Sequence, residues 1–158
     1  MSDSDDVVSA ERVIPAPPEK IFDLLADPNR HQDIDGSGSV QTAKDNPARL
    51  SLGATFGMNM KIGLKYTMVS EVIEFEHNRR IAWQSRPPSK VGSKLGGGRI
   101  WRYELEPVDG GTRVTESWDV SQEKGIKPIV KLGKKRTRTA MEKTLERIES
   151  IVTAPSAN

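Results

Sequence analysis

Cysteine is absent from this chain, which removes disulfides, thiolate metal sites and cysteine nucleophiles together. Histidine is nearly absent: His31 and His77 are the only two imidazoles, and we expect no metal and no cofactor. No apolar run approaches the ~20 residues that a membrane span requires. The opening Met1-Ser2-Asp3-Ser4-Asp5-Asp6 is acidic and polar where an export signal would be basic and then apolar, so the expectation is a cytoplasmic protein. An excess of one charge is also missing. Twenty-four Lys and Arg against 22 Asp and Glu leave a net charge of +2, too little to argue for a nucleic-acid partner. Nor is there a Gly-x-Ser-x-Gly nucleophile turn or a glycine-rich nucleotide loop of either common spacing.

What the chain does contain is one long amphipathic stretch near its end. Thr137, Met141, Leu145, Ile148 and Val152 recur at spacings of three and four, flanked by Ala140, Thr144 and Ile151, which places one apolar stripe on a helix. Pro128 suits its first turn, so the helix is predicted over Ile126 to Val152, with Gly133 as a kink, a join between two pieces or a close backbone approach. At 1.5 Å per residue it would run about 40 Å and must lie across something. With 158 residues the whole chain fits one domain, 1–158, with flexible tails at 1–6 and 154–158.

Almost everything before that helix reads as strand. Val7 to Ile14 is a first strand; Pro17-Pro18-Glu19 then opens a short helix carrying Ile21, Phe22, Leu24 and Leu25, and Asn29 to Ile34 makes a second short helix or a turn. Ala54 to Ile62 alternates, with Phe56, Met58, Met60 and Ile62 on one side. Leu64, Tyr66, Met68, Ser70 and Val72 share a face of the next strand, and Ile81 and Trp83 of the one after it. Trp101, Tyr103 and Leu105 follow beyond Gly96-Gly97-Gly98, read as a flexible hairpin at a cavity rim. Asp109-Gly110-Gly111 is a hairpin turn into a strand with Val114, Glu116, Trp118 and Val120 on one side. Strands gathered in one run and helices kept apart from them indicate an α+β fold.

Several of these segments, in this order, carry a family resemblance. Val13-Ile14-Pro15-Ala16-Pro17 followed by Ile21-Phe22-Asp23-Leu24-Leu25-Ala26-Asp27-Pro28, then Gly53-Ala54-Thr55-Phe56, Arg80-Ile81-Ala82-Trp83 and Gly111-Thr112-Arg113-Val114-Thr115, resemble the START/Bet v 1-like (SRPBCC) superfamily, in particular its bacterial polyketide cyclase/dehydrase branch. The resemblance covers roughly Val8 to Val152. It implies a helix-grip fold: a curved antiparallel sheet of about six to seven strands wrapped around a long C-terminal helix, two short helices after the first strand, and a cavity for a hydrophobic ligand.

The residues themselves allow either a cavity or an ordinary filled core. Phe56, Met58, Met60, Tyr66, Met68, Trp83, Trp101, Tyr103 and Trp118 fall largely on inward-capable positions, and Met141 lies on the helix stripe above them; methionine and aromatic side chains suit an adaptable apolar pocket. These are the candidate ligand-binding residues for a lipid or polyketide-like molecule. Glu116, in register with Val114 and Trp118, is a candidate acid or base whose pKa burial would raise, unless a bulge turns it outward. His31, near Asp33 and Asp35, is a candidate gate or base at the cavity mouth, Tyr66 a third acid–base candidate, and His77 an exposed turn residue. These three make a polyketide cyclase or dehydratase the alternative to a binding protein. Lys131, Lys134, Lys135, Arg136 and Arg138 crowd the helix N-terminal half, where the macrodipole disfavours cations. They read as a solvated face, or as a site for an anionic head group, membrane surface or acidic partner. A monomer and a homodimer are equally compatible with the sequence.

Overall fold

In the computed structural model, residues 6–37, 40–43, 46–62, 64–88, 97–124 and 127–155 are described. Seven strands form one antiparallel sheet: β1 Val7–Ile14, β2 Val40–Ala43, β3 Thr55–Ile62, β4 Leu64–Glu76, β5 Arg80–Arg86, β6 Arg99–Val108 and β7 Gly111–Asp119. Their order across the sheet is β1-β7-β6-β5-β4-β3-β2, so every sequential pair from β2 to β7 is also a spatial pair and β1 closes the far edge. Between β1 and β2 lie α1 Pro18–Leu25, a short 3-10 turn Pro28–Arg30 and α2 His31–Ile34. Two helices follow β7, α3 Lys127–Lys131 and α4 Lys134–Val152. This is the α+β helix-grip arrangement, a curved sheet holding a C-terminal helix.

Local chemistry explains the boundaries. Pro18 starts α1 where no amide is lost, Glu19 sits in its first turn, and Asp27 ends the segment by accepting the Asn29 amide at 3.0 Å. Between β6 and β7, Asp109-Gly110 turns with Gly110 at φ 86°, a left-handed conformation that glycine adopts without strain. The long helix is not continuous. Gly133 stands at the N-terminal end of α4 and joins it to α3, so α4 is 19 residues long, about 28 Å.

The helix lies closest to β1 and touches β7, α1 and α2. Met141, Leu145 and Ile148 are 1% exposed or less, each burial worth about 1.5–3 kcal/mol. Arg12 of β1 reaches the helix with two hydrogen bonds to Glu149, both 3.2 Å. Among the described residues α4 makes no comparable packing against β3 and β4, and the sheet stands away from the helix there.

Two expectations need correction, and one strand carries a feature beyond what was expected of it. Asp6, expected in a loose tail, is anchored: its carboxylate accepts from Lys127 at 3.0 Å and Lys131 at 3.3 Å, and its carbonyl accepts from the Val120 amide at 2.8 Å. The remaining residues of the expected tails, 1–5 and 156–158, lie outside the described residues, as do Gly96 and Ile126. Gly97 and Gly98 are buried rather than loose at a rim; a Cβ on Gly98 would come 2.3 Å from the Gln122 carbonyl. In β4 the alternation holds through Val72 and then breaks, because Val72 pairs with Trp83 while Glu74 pairs with Ala82. The extra residue, Ile73, is a bulge that reverses parity. Phe75 thereby turns inward and meets the Phe22 ring at 5.3 Å.

Candidate functional site

The gap between α4 and the sheet is a cavity with two adjoining chambers. The outer chamber, ≈ 620 Å³, lies under the first turns of α4, and the inner one, ≈ 110 Å³, extends from it toward α2; Ser37, Met58, Met60, Trp101 and Ala140 line both. Strand register builds the floor. Met58 pairs with Met68 and Met60 with Tyr66 across β3 and β4, and Trp83, Trp101 and Trp118 form one row across β5, β6 and β7. The next row along holds Ile81, Tyr103 and Glu116. The roof is the upper part of the helix stripe, where Thr137 and Ala140 face open space and Met141 and Thr144 close the inner end.

Each predicted lining residue has a definite place. Tyr66, Met68 and Trp118 border the outer chamber, Trp83, Tyr103 and Met141 the inner one. Phe56 lines neither; it is packed behind the inner chamber, edge-on to His31 at 5.3 Å and to Trp83 at 5.6 Å. Sequence reasoning did not single out Ser85, Arg99, Arg136 or Lys143 as lining residues, all of which border the outer chamber. Ser85 could have been found two residues on from Trp83, and Lys143 three on from Ala140, by the same periodicities.

The inner chamber gathers the buried titratable groups His31, Tyr103 and Glu116. Glu116 is 3% exposed, faces its cross-strand neighbour Tyr103 and shares a hydrogen bond with that hydroxyl. Burial pushes its pKa up to about 8, with the negative charge of Asp35 adding to the rise and the Tyr103 bond opposing it. Glu116 is therefore a neutral acid at pH 7. The same burial and the Glu116 charge raise the Tyr103 phenol well above its ordinary value. His31, expected at an open mouth, is instead 4% exposed and stacked on Trp83 with centroids 4.8 Å apart. Its Nε2 lies 2.8 Å from the Leu25 carbonyl, which only an N–H can satisfy, and burial holds the ring neutral by lowering its pKa.

His31 does not join its sequence neighbours. Asp33 pairs with Arg30 at 2.7 Å and Asp35 accepts from the Ser37 amide and hydroxyl at 3.0 and 2.7 Å; no three His, Asp or Glu side chains among the described residues come together to hold a metal. Tyr66 is 40% exposed at the outer chamber and does not border the inner one, where Tyr103 stands beside Glu116. His77 is exposed and rests against Phe22. The basic run is divided: Lys131 belongs to α3 and is tied to Asp6, while Arg136 lies at the outer chamber.

A separate depression of ≈ 550 Å³ on the convex face is lined by Glu11, Arg80, Glu104, Glu106 and Arg113 among others. Its charges satisfy one another, Arg80 with Glu104 and Arg113 with Glu106, both at 3.0 Å. It offers a ligand little that is unpaired.

Comparison with known proteins agrees with this geometry. The family model described as "Polyketide cyclase / dehydrase and lipid transport" matches residues 6–153. The uncharacterized protein Rv0088 of Mycobacterium tuberculosis is 36% identical over 122 residues, 76% of this chain. The chain spans about half the length of that relative, 50%. Among solved structures, protein CV1439 of Chromobacterium violaceum superposes with a TM-score of 0.73 at 15% identity, covering 96% of this chain and 100% of that one. Protein Ms6760 of Mycobacterium smegmatis does so with 0.72 at 19%, covering 98% and 96%. At such identities the structural likeness speaks for the fold alone. No helix among the described residues is long and apolar enough to cross a membrane.

Proposed function

This chain belongs to the polyketide cyclase / dehydrase and lipid transport family, and from that premise we propose that it binds a small hydrophobic or aromatic molecule in the cavity between sheet and α4. The observation that carries the reading is the outer chamber, ≈ 620 Å³ of space floored by Met58, Met60, Met68, Trp101 and Trp118. A domain that needed only stability would fill such a volume, since each lost contact there costs packing energy. Arg136 and Lys143 beside it suit a ligand with an anionic end. Burying a drug-sized apolar molecule supplies several kcal/mol at about 25 cal/mol per Å², enough for roughly micromolar affinity after association costs. The test is a panel of fatty acids, flavonoids and aromatic polyketides, followed by tryptophan emission and melting temperature. Saturable quenching with a raised melting point for one chemical class supports the reading; no response from any compound, and no molecule carried by the purified protein in native mass spectrometry, refutes it.

A second reading, acid–base catalysis of the cyclase or dehydratase kind, draws on Glu116. A carboxyl that titrates near pH 8 inside an apolar chamber can both give and take a proton at neutral pH. Turnover that vanishes in Glu116→Gln while ligand binding persists would favour it.

Membrane contact is carried by a different feature. Ile129 and Leu132 are 67% and 86% exposed on and just after α3, with Lys134 and Lys135 next in the chain. Apolar tips beside cations fit the surface of an anionic bilayer, close to the chamber that Gly133 borders.

A further inference from the structure

The inner chamber contains two polar atoms for which the fold provides nothing. Glu116 Oε1 and His31 Nδ1 are both buried and without a hydrogen-bond partner, on side chains that line the same ≈ 110 Å³ space. Buried polar groups are hydrogen-bonded in the great majority of cases, and each orphan costs on the order of 1–3 kcal/mol. Two orphans on side chains that line one space imply a ligand group that reaches and satisfies them.

Their chemistry specifies that group. Because His31 spends its N–H on the Leu25 carbonyl at 2.8 Å, Nδ1 is left as a lone pair and can only accept. The Glu116 carboxyl, neutral at pH 7 and sharing a hydrogen bond with Tyr103, can donate from or accept at its free edge. On an aromatic or apolar ligand, the simplest group that gives one hydrogen bond and takes another at a single atom is a hydroxyl. The walls narrow it further: Trp83, Tyr103 and Met141 surround a space about the size of one aromatic ring.

We propose that the inner chamber seats a phenolic hydroxyl, its proton directed to His31 Nδ1 and its oxygen to the Glu116 carboxyl, so that the ligand is a hydroxylated aromatic compound whose larger part fills the outer chamber. The inference rests on the ligand-binding reading given above and makes it more specific. Other titratable groups near this seat are few. Tyr103 comes from β6 and Asp35 from the segment after α2, whose carboxylate is occupied by Ser37, whereas the α4 residues facing the chamber, Ala140, Met141 and Thr144, do not titrate.

The experiment is calorimetric titration at about pH 6.5 with 2-naphthol, 2-methoxynaphthalene and naphthalene, using the wild type, Glu116→Leu and Glu116→Gln, each checked for cooperative melting. The wild type should bind 2-naphthol about tenfold more tightly than naphthalene, and the methyl ether, which has no proton to give, no better than naphthalene. Glu116→Leu should reduce the naphthol preference to within about twofold while retaining naphthalene. Glu116→Gln, which keeps a donor and an acceptor, should preserve most of it. Equal affinities of the wild type for all three compounds, or an unchanged preference in Glu116→Leu, would overturn the hydroxyl seat and leave the cavity reading intact. Failure of all three compounds to bind the wild type would overturn the aromatic seat, and saturable binding of a fatty acid in the panel above would still uphold the cavity reading.

Discussion

The two halves of the concave face are built from similar residue types and end in opposite states. Beneath the C-terminal half of α4, Ile14, Val114, Leu145 and Ile148 are completely or almost completely buried with α1 pressed against them. Beneath its N-terminal half, Met60, Met68 and Trp101 remain only partly buried around open space. The difference comes from where the helix rests. Arg12 and the apolar stripe hold α4 down on β1, while at the other end Gly36 brings the loop after α2 tightly against the helix. Its amide donates to Thr144 Oγ1 at 2.9 Å, and a Cβ there would lie 2.3 Å from the Ala140 carbonyl. One end is packed for stability and the other is propped open, which is how one helix both closes a core and roofs a pocket.

The largest expected effect uses the fact that a core of carbon cannot titrate and the open half can. Glu116 has a folded pKa of about 8 against an ordinary 4.5, so the native state holds a proton that the unfolded chain releases across that interval. Stability is therefore full below about pH 4.5 on this account and is lost as pH rises to about 8, by on the order of 4–5 kcal/mol. His31 acts in the opposite sense: its lowered pKa costs stability only as pH falls below about 6.5. Denaturant melts from pH 6.5 to 9 should show a downward slope that Glu116→Gln removes. An identical slope in the variant would show that Glu116 is already ionised in the fold.

Truncation sharpens the contrast directly. Leu145→Ala should cost about 2–5 kcal/mol, because it opens a void in a full interior, whereas Met60→Ala should cost under about 1 kcal/mol, because it only enlarges a space already open. Equal losses in chemical denaturation would mean that the two halves are packed alike. Gly36→Ala tests the prop itself. The added methyl meets backbone, so the loop must leave α4, and we expect about 1–3 kcal/mol of destabilisation together with weakened ligand binding. The smallest effect on the fold belongs to the basic surface. Changing Lys134, Lys135 and Arg136 to glutamine should move the melting temperature very little, yet lower sedimentation with acidic liposomes in a salt-dependent way. Equal sedimentation of both proteins would assign those cations to a solvated face.

The architecture was legible because its signals are periodic. Alternation in β3 and in β4 up to Val72, the three- and four-residue stripe on α4 and the Asp109-Gly110 turn each follow from local geometry and together indicate an α+β fold, while the wrapping of the sheet around the helix was what the family resemblance implied. The placement of Glu116 beside Trp118 and Val114 was legible for the same reason. What escaped depends on contacts between elements. A histidine followed by two aspartates reads as surface, and only the tertiary stack on Trp83 shows that His31 is interior. Tyr66 and Tyr103 both occupy inward parity; Tyr103 is the one that reaches Glu116 because β6, not β4, lies next to β7. The Ile73 bulge, which turns Phe75 into the core, has no signature in a run of alternating apolar residues. Likewise, Gly133 marked a break or a close approach, and only the packing of α3 against Asp6 made it a join.

The central claim is that the space under the N-terminal half of α4 is a binding cavity, and filling it is the most direct test. Anilinonaphthalene sulfonate, an aromatic anion suited to Met58, Trp101 and the Arg136 edge, should bind the wild type saturably at one molecule per chain and raise its melting temperature. Ala140→Trp places an indole in that space from the roof and should abolish both responses while melting at least as high as the unliganded wild type. Undiminished probe binding by Ala140→Trp, or none by the wild type, would contradict the account.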